Sequence, residues 1–114
     1  MRKDRSDLLQ GTLELLILRV LSLRPMHGWG IAQRIEQMSD EVFAVNQGSL
    51  YPALQRMKRK GWICSKWRVT ENNRRARFYE LTSPGRNQLE LERAEWARAS
   101  AAINGILDWK EATG

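Results

Sequence analysis

The segment from Asn46 to Gly61 constrains the fold most, because it carries the signals of a short helix with a defined start and stop. Ser49 can cap the helix, since its hydroxyl can accept a backbone N–H two or three residues later. Pro52 then lies in the first turn, where its missing N–H costs nothing. Gly61 follows Lys60 and is typical of a left-handed helix stop with a cation in the last turn.

The two sides of this helix differ in chemistry. The apolar stripe, at helical spacing, consists of Leu50, Ala53, Leu54 and Met57. The remaining surface is polar and cationic, and a helix of this kind can lie in the major groove of DNA. Tyr51 could contact DNA or brace the helix against the core, and we favour the contact. The predicted DNA-binding residues here are Asn46, Gln47, Ser49, Tyr51, Gln55, Arg56 and Arg59.

Two strand-like segments follow the helix. Residues 62–69 (WICSKWRV) and 77–82 (RFYELT) are rich in β-branched and aromatic residues, and the polar residues 70–76 between them form a turn. A helix followed by a basic hairpin is the pattern of a winged helix-turn-helix. Arg74 and Arg75 then sit where a wing would meet the DNA backbone or minor groove. In isolation they would be read as solvated turn residues, but beside this helix we favour DNA contact.

The net charge of +6 is concentrated in one part of the chain. Residues 55–86 contain ten basic and two acidic residues, whereas residues 1–54 contain six of each and residues 87–114 contain three and five. The excess coincides with the candidate helix and wing, as expected of a protein that binds a polyanion. A basic face that merely meets solvent would not explain the coincidence.

The first helix is predicted from about Leu8 to Leu23. Its buried stripe would consist of Leu9, Leu13, Leu16, Val20 and Leu23. Three further leucines lie off that stripe and make a second face apolar: Leu8, Leu15 and Leu18. A helix that is apolar nearly all round needs a second partner in so small a chain, and another copy of the chain is the simplest one.

We expect a cytoplasmic protein with neither a membrane segment nor a signal peptide. Polar residues interrupt the apolar run between residues 8 and 23, and residues 1–7 are mostly charged. Cys64 is the only cysteine, so this chain offers neither an intramolecular disulfide nor a cysteine-based zinc site. We expect a small packed side chain at Cys64. A reducing compartment is consistent with this cysteine usage.

A break at residues 24–28 precedes a second helix, predicted from about Trp29 to Met38. His27 is the only histidine and has no nearby carboxylates or thiols, which makes it a poor metal ligand or catalytic base. We expect it to satisfy backbone groups at the start of this helix. Gly28 and Gly30 do not form a phosphate loop, because no strand precedes them and the required glycine spacing is missing.

The last helix is predicted to begin at Ser83, an N-cap followed by Pro84, and to run to about Lys110. Its heptad-like seam, broken once by a glutamate, consists of Leu89, Trp96, Ala99, Ile103 and Ile106. Such a helix suits dimerisation better than folding back on a small domain. We expect a winged helix-turn-helix domain over residues 1–82 and a dimerisation helix over residues 83–114. The fold class is α+β, mainly α with a small β-hairpin.

These elements together resemble the PadR family of bacterial transcriptional regulators, in its compact form with a single C-terminal dimerisation helix. The matching segments are Gly11 to Leu13 with Leu15 to Leu18, Met26 to Gly30, Gly48 to Leu54, Gly61 to Ile63, and Arg77 to Thr82 before Gly85. The segment GSLYPAL, at its distance from the HGWG motif, is specific to the family. The resemblance covers about residues 8–107.

The resemblance implies a winged-helix homodimer that binds a pseudo-palindromic double-stranded operator, usually as a repressor relieved by a small molecule. Two positions depart from the family pattern. Wings of the family often run Gly-Arg-Arg-Arg, where this chain has Glu71 to Ala76, but the arginine pair is kept and its role should be too. Trp62 stands where leucine is commoner and adds bulk after the recognition helix.

Trp96 in the seam has two interpretations. It can be a dimer-core aromatic, since tryptophan buries a large apolar area and anchors interfaces. In some compact members of the resembled family, however, the paired tryptophans of this helix face a central cavity and stack flat aromatic compounds. The resemblance thus implies a candidate effector site at Trp96, with room left by Ala99 and Ser100. We favour the dimer core and keep the planar aromatic effector as the alternative.

Three classes of function follow, in descending order. The first is a homodimeric DNA-binding repressor. The second is a winged-helix protein-interaction module whose basic face meets an acidic protein partner. An enzyme is the weakest, since we find no nucleophile–base pair and no set of metal ligands, and we expect no cofactor. Steep salt dependence and specificity for one duplex would favour the first class, and one-to-one binding to a protein would favour the second.

Overall fold

The computed structural model describes residues 6–7 and 10–112 of the 114-residue chain. The predicted positions Leu8 and Leu9 lie outside the described residues. Within the described ranges the helices are α1 (Gln10–Leu23), α2 (Gly28–Met38), α3 (Gln47–Arg59) and α4 (Ser83–Leu107). The strands are β1 (Ser6–Asp7), β2 (Met26–His27), β3 (Phe43–Ala44), β4 (Ile63–Val69) and β5 (Arg75–Leu81).

The wing belongs to an antiparallel sheet with strand order β2-β5-β4. β4 and β5 form the predicted hairpin, each seven residues long. β2 adds a short third strand that pairs Met26 with Tyr79, and the sequence analysis missed it because two residues carry no periodicity. β1 and β3 pair in parallel, apart from this sheet. The predicted α+β winged-helix fold is confirmed.

α1 lies at the centre of the core, in contact with α2, α3, α4 and β5. Leu13, Ile17 and Leu18 of α1 are almost completely buried. The apolar stripe predicted for α3 packs into the same core, and all its members are buried: Leu50, Ala53, Leu54 and Met57. α3 is therefore held by one side, and its remaining surface is left for other contacts.

The surface of α1 differs from its prediction at several leucines. Leu18 does not face a second copy, because the core of the same protomer covers it completely. Leu15 and Leu16 are partly buried against that core, whereas Leu23, expected in the buried stripe, is exposed. The prediction failed because α1 is surrounded by three helices and a sheet, so more than one of its faces is buried within the protomer.

α3 begins earlier than predicted. Asn46 is its N-cap, and the Oδ1 of Asn46 accepts the backbone N–H of Ser49 over 2.9 Å. The prediction of Ser49 as the cap is wrong, because a capping side chain stands three residues upstream. Pro52 consequently lies in the second turn rather than the first. The predicted stop is confirmed, since Gly61 has a φ of 79° and its N–H donates to a carbonyl of the last turn.

His27 caps α2, as predicted. Its Nδ1 accepts the N–H of Gly30 over 3.0 Å, and α2 starts at Gly28, one residue before the predicted start. The imidazole also lies edge-on to Phe78 of β5, with 5.3 Å between ring centroids. The histidine thus joins the start of α2 to the sheet.

The start of α4 is fastened to the chain that leaves α3. Thr82, rather than the predicted Ser83, is the N-cap, and its Oγ1 accepts the N–H of Gly85 over 3.1 Å. The same hydroxyl donates to carbonyl oxygens within reach at Gly61 (2.6 Å) and Trp62 (2.9 Å). A Cβ at Gly85 would overlap the Trp62 carbonyl, so only glycine permits this close approach.

Only the first turns of α4 pack on the rest of the protomer. Leu89 is buried, and the predicted seam beyond it is exposed at Trp96, Ala99, Ile103 and Ile106. The helix ends at Leu107, three residues before the predicted Lys110. None of the helices described in the structure is both long and apolar enough to cross a membrane.

Candidate nucleic-acid interface

The free surface of α3 carries most of the residues predicted to contact DNA. Gln47, Ser49, Gln55 and Arg59 are exposed. Asn46 is exposed as well, but its Oδ1 is engaged in the helix cap. α3 contains no acidic residue, and its last turn is strongly basic with Arg56, Lys58 and Arg59. The helix therefore presents amides and a hydroxyl at its start and positive charge at its end.

Arg56 is anchored to the core. Its Nε donates to Oε2 of Glu14 in α1 over 3.0 Å, and Lys60 Nζ lies 4.0 Å from the other carboxylate oxygen. Glu14 is buried, whereas a quarter of the Arg56 side chain is exposed. Arg56 therefore has a structural task in addition to any contact with DNA. The sequence analysis missed this pairing because it joins residues 42 positions apart.

Tyr51 lies where α2, α3 and the sheet meet. Its ring packs on Gly28, where an added Cβ would come within 2.9 Å of the ring and 2.7 Å of the hydroxyl oxygen. Tyr51 nevertheless remains 39% exposed, so it braces α3 and still presents a surface to solvent. Burial raises the pKa of Tyr79, the nearby Tyr51 adds to that shift, and Arg77 opposes it.

The wing ends in a turn at residues 70–74. The N–H of Thr70 donates to the carbonyl of Arg74 over 2.7 Å, and Asn73 adopts a left-handed φ of 60°, which asparagine tolerates. β5 starts at Arg75, two residues before the predicted strand. Arg74 and Arg75 are both exposed, as predicted, but Arg74 lies in the turn and Arg75 on the flank of the hairpin.

Cross-strand register divides the wing into two faces, because successive side chains of a strand point to opposite sides. Trp67 pairs with Arg77 on the face that leads to the core, and Arg68 pairs with Ala76 on the other face. The Arg68 guanidinium lies 5.5 Å from the centre of the Phe78 ring on that second face. Trp67, Arg68 and Arg77 were not predicted as DNA-binding residues. Alternation within residues 63–69 was the available signal.

The candidate effector residues lie on the exposed part of α4. Trp96 is 53% exposed and Ala99 is exposed. Ser100 is partly buried, and its hydroxyl donates to the carbonyl of Ala97 over 3.3 Å. Within one protomer these residues line an open helix surface rather than an enclosed cavity. Among the residues that the structure describes, no cluster of histidine, cysteine or carboxylate side chains could hold a metal ion.

Comparisons with known proteins agree on one family. A model of the transcriptional regulator PadR-like family matches residues 17–91, which contain α3 and the whole wing. An uncharacterised protein from Lysinibacillus sphaericus is 27% identical over 107 residues, 94% of this chain and 98% of that protein. The crystal structure of a PadR-like transcriptional regulator from Bacillus cereus is 26% identical, with a TM-score of 0.77 over 90% of this chain and 97% of that one. A Streptococcus mutans protein shares the fold at 24% identity, with a TM-score of 0.81 over 96% and 98% of the two chains.

Proposed function

Because the chain belongs to the PadR-like family of transcriptional regulators, we propose that it is a homodimeric repressor that binds one pseudo-palindromic DNA operator. The family predicted from the sequence is confirmed by that membership. The observation that carries the proposal is the combination of a free, acid-free surface on α3 with a basic wing beside it. Both elements lie in the segment that holds the excess positive charge. Such a regulator would act in the cytoplasm.

Within this proposal, α3 reads base edges and the wing contacts backbone. Gln47 and Gln55 are exposed amides, the side chains that pair best with adenine edges in the major groove. Arg59, Arg74 and Arg75 are exposed guanidiniums suited to phosphate oxygens. Ser49 and the exposed part of Tyr51 complete the contacts at the start of α3, beside the capping Asn46. Arg56 contributes through its position against Glu14 and through its remaining exposed surface.

The proposed dimer forms through α4, which makes residues 83–114 the dimerisation unit and residues 1–82 the DNA-binding domain. The apolar stripe that is buried at Leu89 continues along α4 as an exposed surface. Its large members beyond the core are Trp96, Ile103 and Ile106, all at least half exposed. A continuous exposed apolar surface of this kind marks an association site. A second copy of the same helix is the simplest partner, because closed two-fold dimers are the commonest assembly.

The effector site is the least supported part of the proposal. A two-fold axis near α4 would bring two Trp96 rings towards each other, with the small side chains of Ala99 and Ser100 beside them. A planar aromatic compound could stack there and relieve repression, but only if it binds one dimer geometry better than the other. Without such a cavity, Trp96 belongs to the dimer core.

The proposal is tested by finding which duplex the protein protects and how binding depends on salt. We expect a footprint with dyad symmetry, its half-sites centred about one helical turn or a multiple of it apart, roughly 34–36 Å per turn. The logarithm of affinity should fall steeply with the logarithm of salt concentration, since each bound phosphate releases counterions. The double variant Arg74→Ala/Arg75→Ala should flatten that slope by about two units.

A matched control separates wing contacts from overall charge. Arg19 and Arg98 are exposed and lie outside the basic segment, so Arg19→Ala/Arg98→Ala removes the same charge from elsewhere. This control should keep most of the wild-type slope. A wing variant that binds like wild type would contradict the wing contact. One-to-one binding to an acidic protein, with no preference among duplexes, would instead support the protein-interaction module.

A further inference from the structure

The outer half of one wing face carries an exposed strip of two apolar and two cationic side chains. This wing strip consists of Trp67 and Val69 in β4 and of Arg75 and Arg77 in β5. The register pairs Trp67 with Arg77 and Val69 with Arg75, so the four side chains lie on the same side of the hairpin. Trp67 is 54% exposed and Val69 is 64% exposed. Nothing in the described part of the protomer covers them.

Trp67 organises the two guanidiniums of the strip. The guanidinium carbon of Arg77 lies 4.7 Å from the ring centre of Trp67, and that of Arg75 lies 5.0 Å from it. Both distances are within the range of a cation–π contact, which leaves the N–H edges of the guanidinium available to other acceptors. Arg77 is held further by a 2.9 Å hydrogen bond from its Nη1 to Ser65 Oγ. One aromatic ring thus fixes two cations.

The strip is continuous with the surface of α3. Towards the core, the same face of β5 carries Tyr79, which is buried and close to Tyr51 in the second turn of α3. Two residues further out on that strand the face presents Arg77, and then Arg75. A duplex that contacts the start of α3 would therefore meet this face of the wing next. The opposite face, with Arg68, turns away from that line.

Charge favours a polyanion as the occupant of the strip. Neither Arg75 nor Arg77 forms an ion pair with any carboxylate of the described residues. Arginine is a common donor to phosphate oxygens, and apolar side chains are compatible with the sugars and base edges of a minor groove. An acidic protein segment would match the charge but would not require alignment with α3.

We propose that the wing strip, rather than the opposite face of the hairpin, contacts the duplex held by α3, with Trp67 as the positioning residue for Arg75 and Arg77. This inference rests on the proposed DNA-binding function. It makes the flank of the wing the contact surface in addition to Arg74 at its tip. Trp67 acts by holding two guanidiniums in place before DNA arrives, which removes part of the ordering cost of binding.

The two faces can be compared with one charge removed from each. Arg77→Ala and Arg68→Ala should be tested on the duplex that the wild-type protein selects from a randomised library. Arg77→Ala should weaken binding and flatten the salt slope by about one unit, whereas Arg68→Ala should leave the slope near wild type. An equal or larger loss with Arg68→Ala would overturn the assignment of the face. If the wild-type protein selects no duplex, the proposed function itself fails.

Trp67 is tested with variants that keep every charge. Trp67→Ala should weaken binding about two- to five-fold for each guanidinium released, and Trp67→Phe should restore most of it because a phenyl ring still attracts cations. Thermal unfolding should show that both variants remain folded. Combined with Arg75→Ala and Arg77→Ala, Trp67→Ala should have little further effect, since the residues act as one unit. A full, additive loss in that background, or wild-type binding by Trp67→Ala, would reject the positioning role.

Discussion

Arg56 donates its Nε–H to Oε2 of Glu14 over 3.0 Å, and this pair ties α3 to the centre of α1. The carboxylate is buried, and both cations near it, Arg56 and Lys60, belong to the end of α3. A buried carboxylate needs such partners, because an unpaired charge in the interior is costly. The helix proposed to read DNA is therefore fixed in place by a charge as well as by its apolar stripe.

Glu14→Gln should lower the free energy of unfolding by about 1–3 kcal/mol, since a charge-assisted hydrogen bond is replaced by a weaker neutral one. Chemical denaturation at pH 7 and fixed protein concentration measures the change. Glu95→Gln is the matched control, because it removes an exposed pair with Arg98 that should contribute less than about 1 kcal/mol. Equal effects of the two substitutions would contradict a structural role for the buried pair.

Gln47→Ala and Gln55→Ala should change sequence preference more than total affinity. Each removes an amide that can pair with an adenine edge and leaves the charge on α3 unchanged. Selection from a randomised duplex library should show a relaxed preference at specific positions of each half-site. Gln33→Ala, an exposed amide on α2, should leave the selected sequence unchanged. Unaltered preference in both α3 variants would count against direct readout by these side chains.

Ile103→Glu/Ile106→Glu should convert the protein into monomers and abolish tight operator binding. The two charges would lie in the apolar contact of the proposed dimer, where their desolvation is unfavourable. Sedimentation at micromolar concentration measures the state of assembly. Ala94→Glu/Ala101→Glu adds the same charge on the opposite side of α4 and should remain dimeric. A monomeric wild-type protein under these conditions would reject the dimer.

Acridine orange, a planar aromatic cation, should quench tryptophan fluorescence in the wild-type protein and much less in Trp96→Ala. Stacking between paired rings is worth about 0.5–1.5 kcal/mol for each aromatic contact beyond the buried area. Trp109→Ala is the control, since Trp109 is also exposed but lies beyond the end of α4. Equal quenching in a Trp96→Ala variant that is still dimeric would leave Trp96 as part of the interface only.

The raised pKa of Tyr79 makes stability depend on alkaline pH. The folded state keeps the phenol proton to a higher pH than the unfolded chain, so the contribution of Tyr79 is complete below the unfolded pKa of about 10. It is lost as pH rises from there through the folded pKa. Tyr79→Phe should therefore flatten the decline of unfolding free energy above about pH 10, measured by denaturation across that range. An unchanged slope would mean that Tyr79 does not stay protonated.

The sequence predicted the helices and the wing because each carries its own local signal. The buried stripe of α3 and the stop at Gly61 follow from spacing and from the conformational freedom of glycine. Two caps were misassigned because Asn46 and Thr82 stand near residues with the same capping chemistry, Ser49 and Ser83. Local sequence cannot decide between such neighbours, since the choice depends on where the preceding chain enters the helix.

The candidate interface was predicted in outline and missed in its pairings. Exposure of Gln55 and Arg59 follows from helical periodicity, which is a local property. The contacts of Arg56 with Glu14 and of Trp67 with Arg77 join distant parts of the chain, and charge counting does not reveal them. For the same reason the sequence did not show that Leu18 is covered within its own protomer.

The attachment of α4 at Thr82 gives the long helix the geometry of a lever. The 25 residues of α4 span about 37 Å at 1.5 Å per residue, whereas its pivot is a few hydrogen bonds beside Gly85. A tilt of about 5° at the pivot displaces the far end by about 3 Å over that length. In a dimer joined through α4, the distance between the two α3 helices would be set by this angle. A side chain larger than hydrogen at Gly85 would change the angle at its origin.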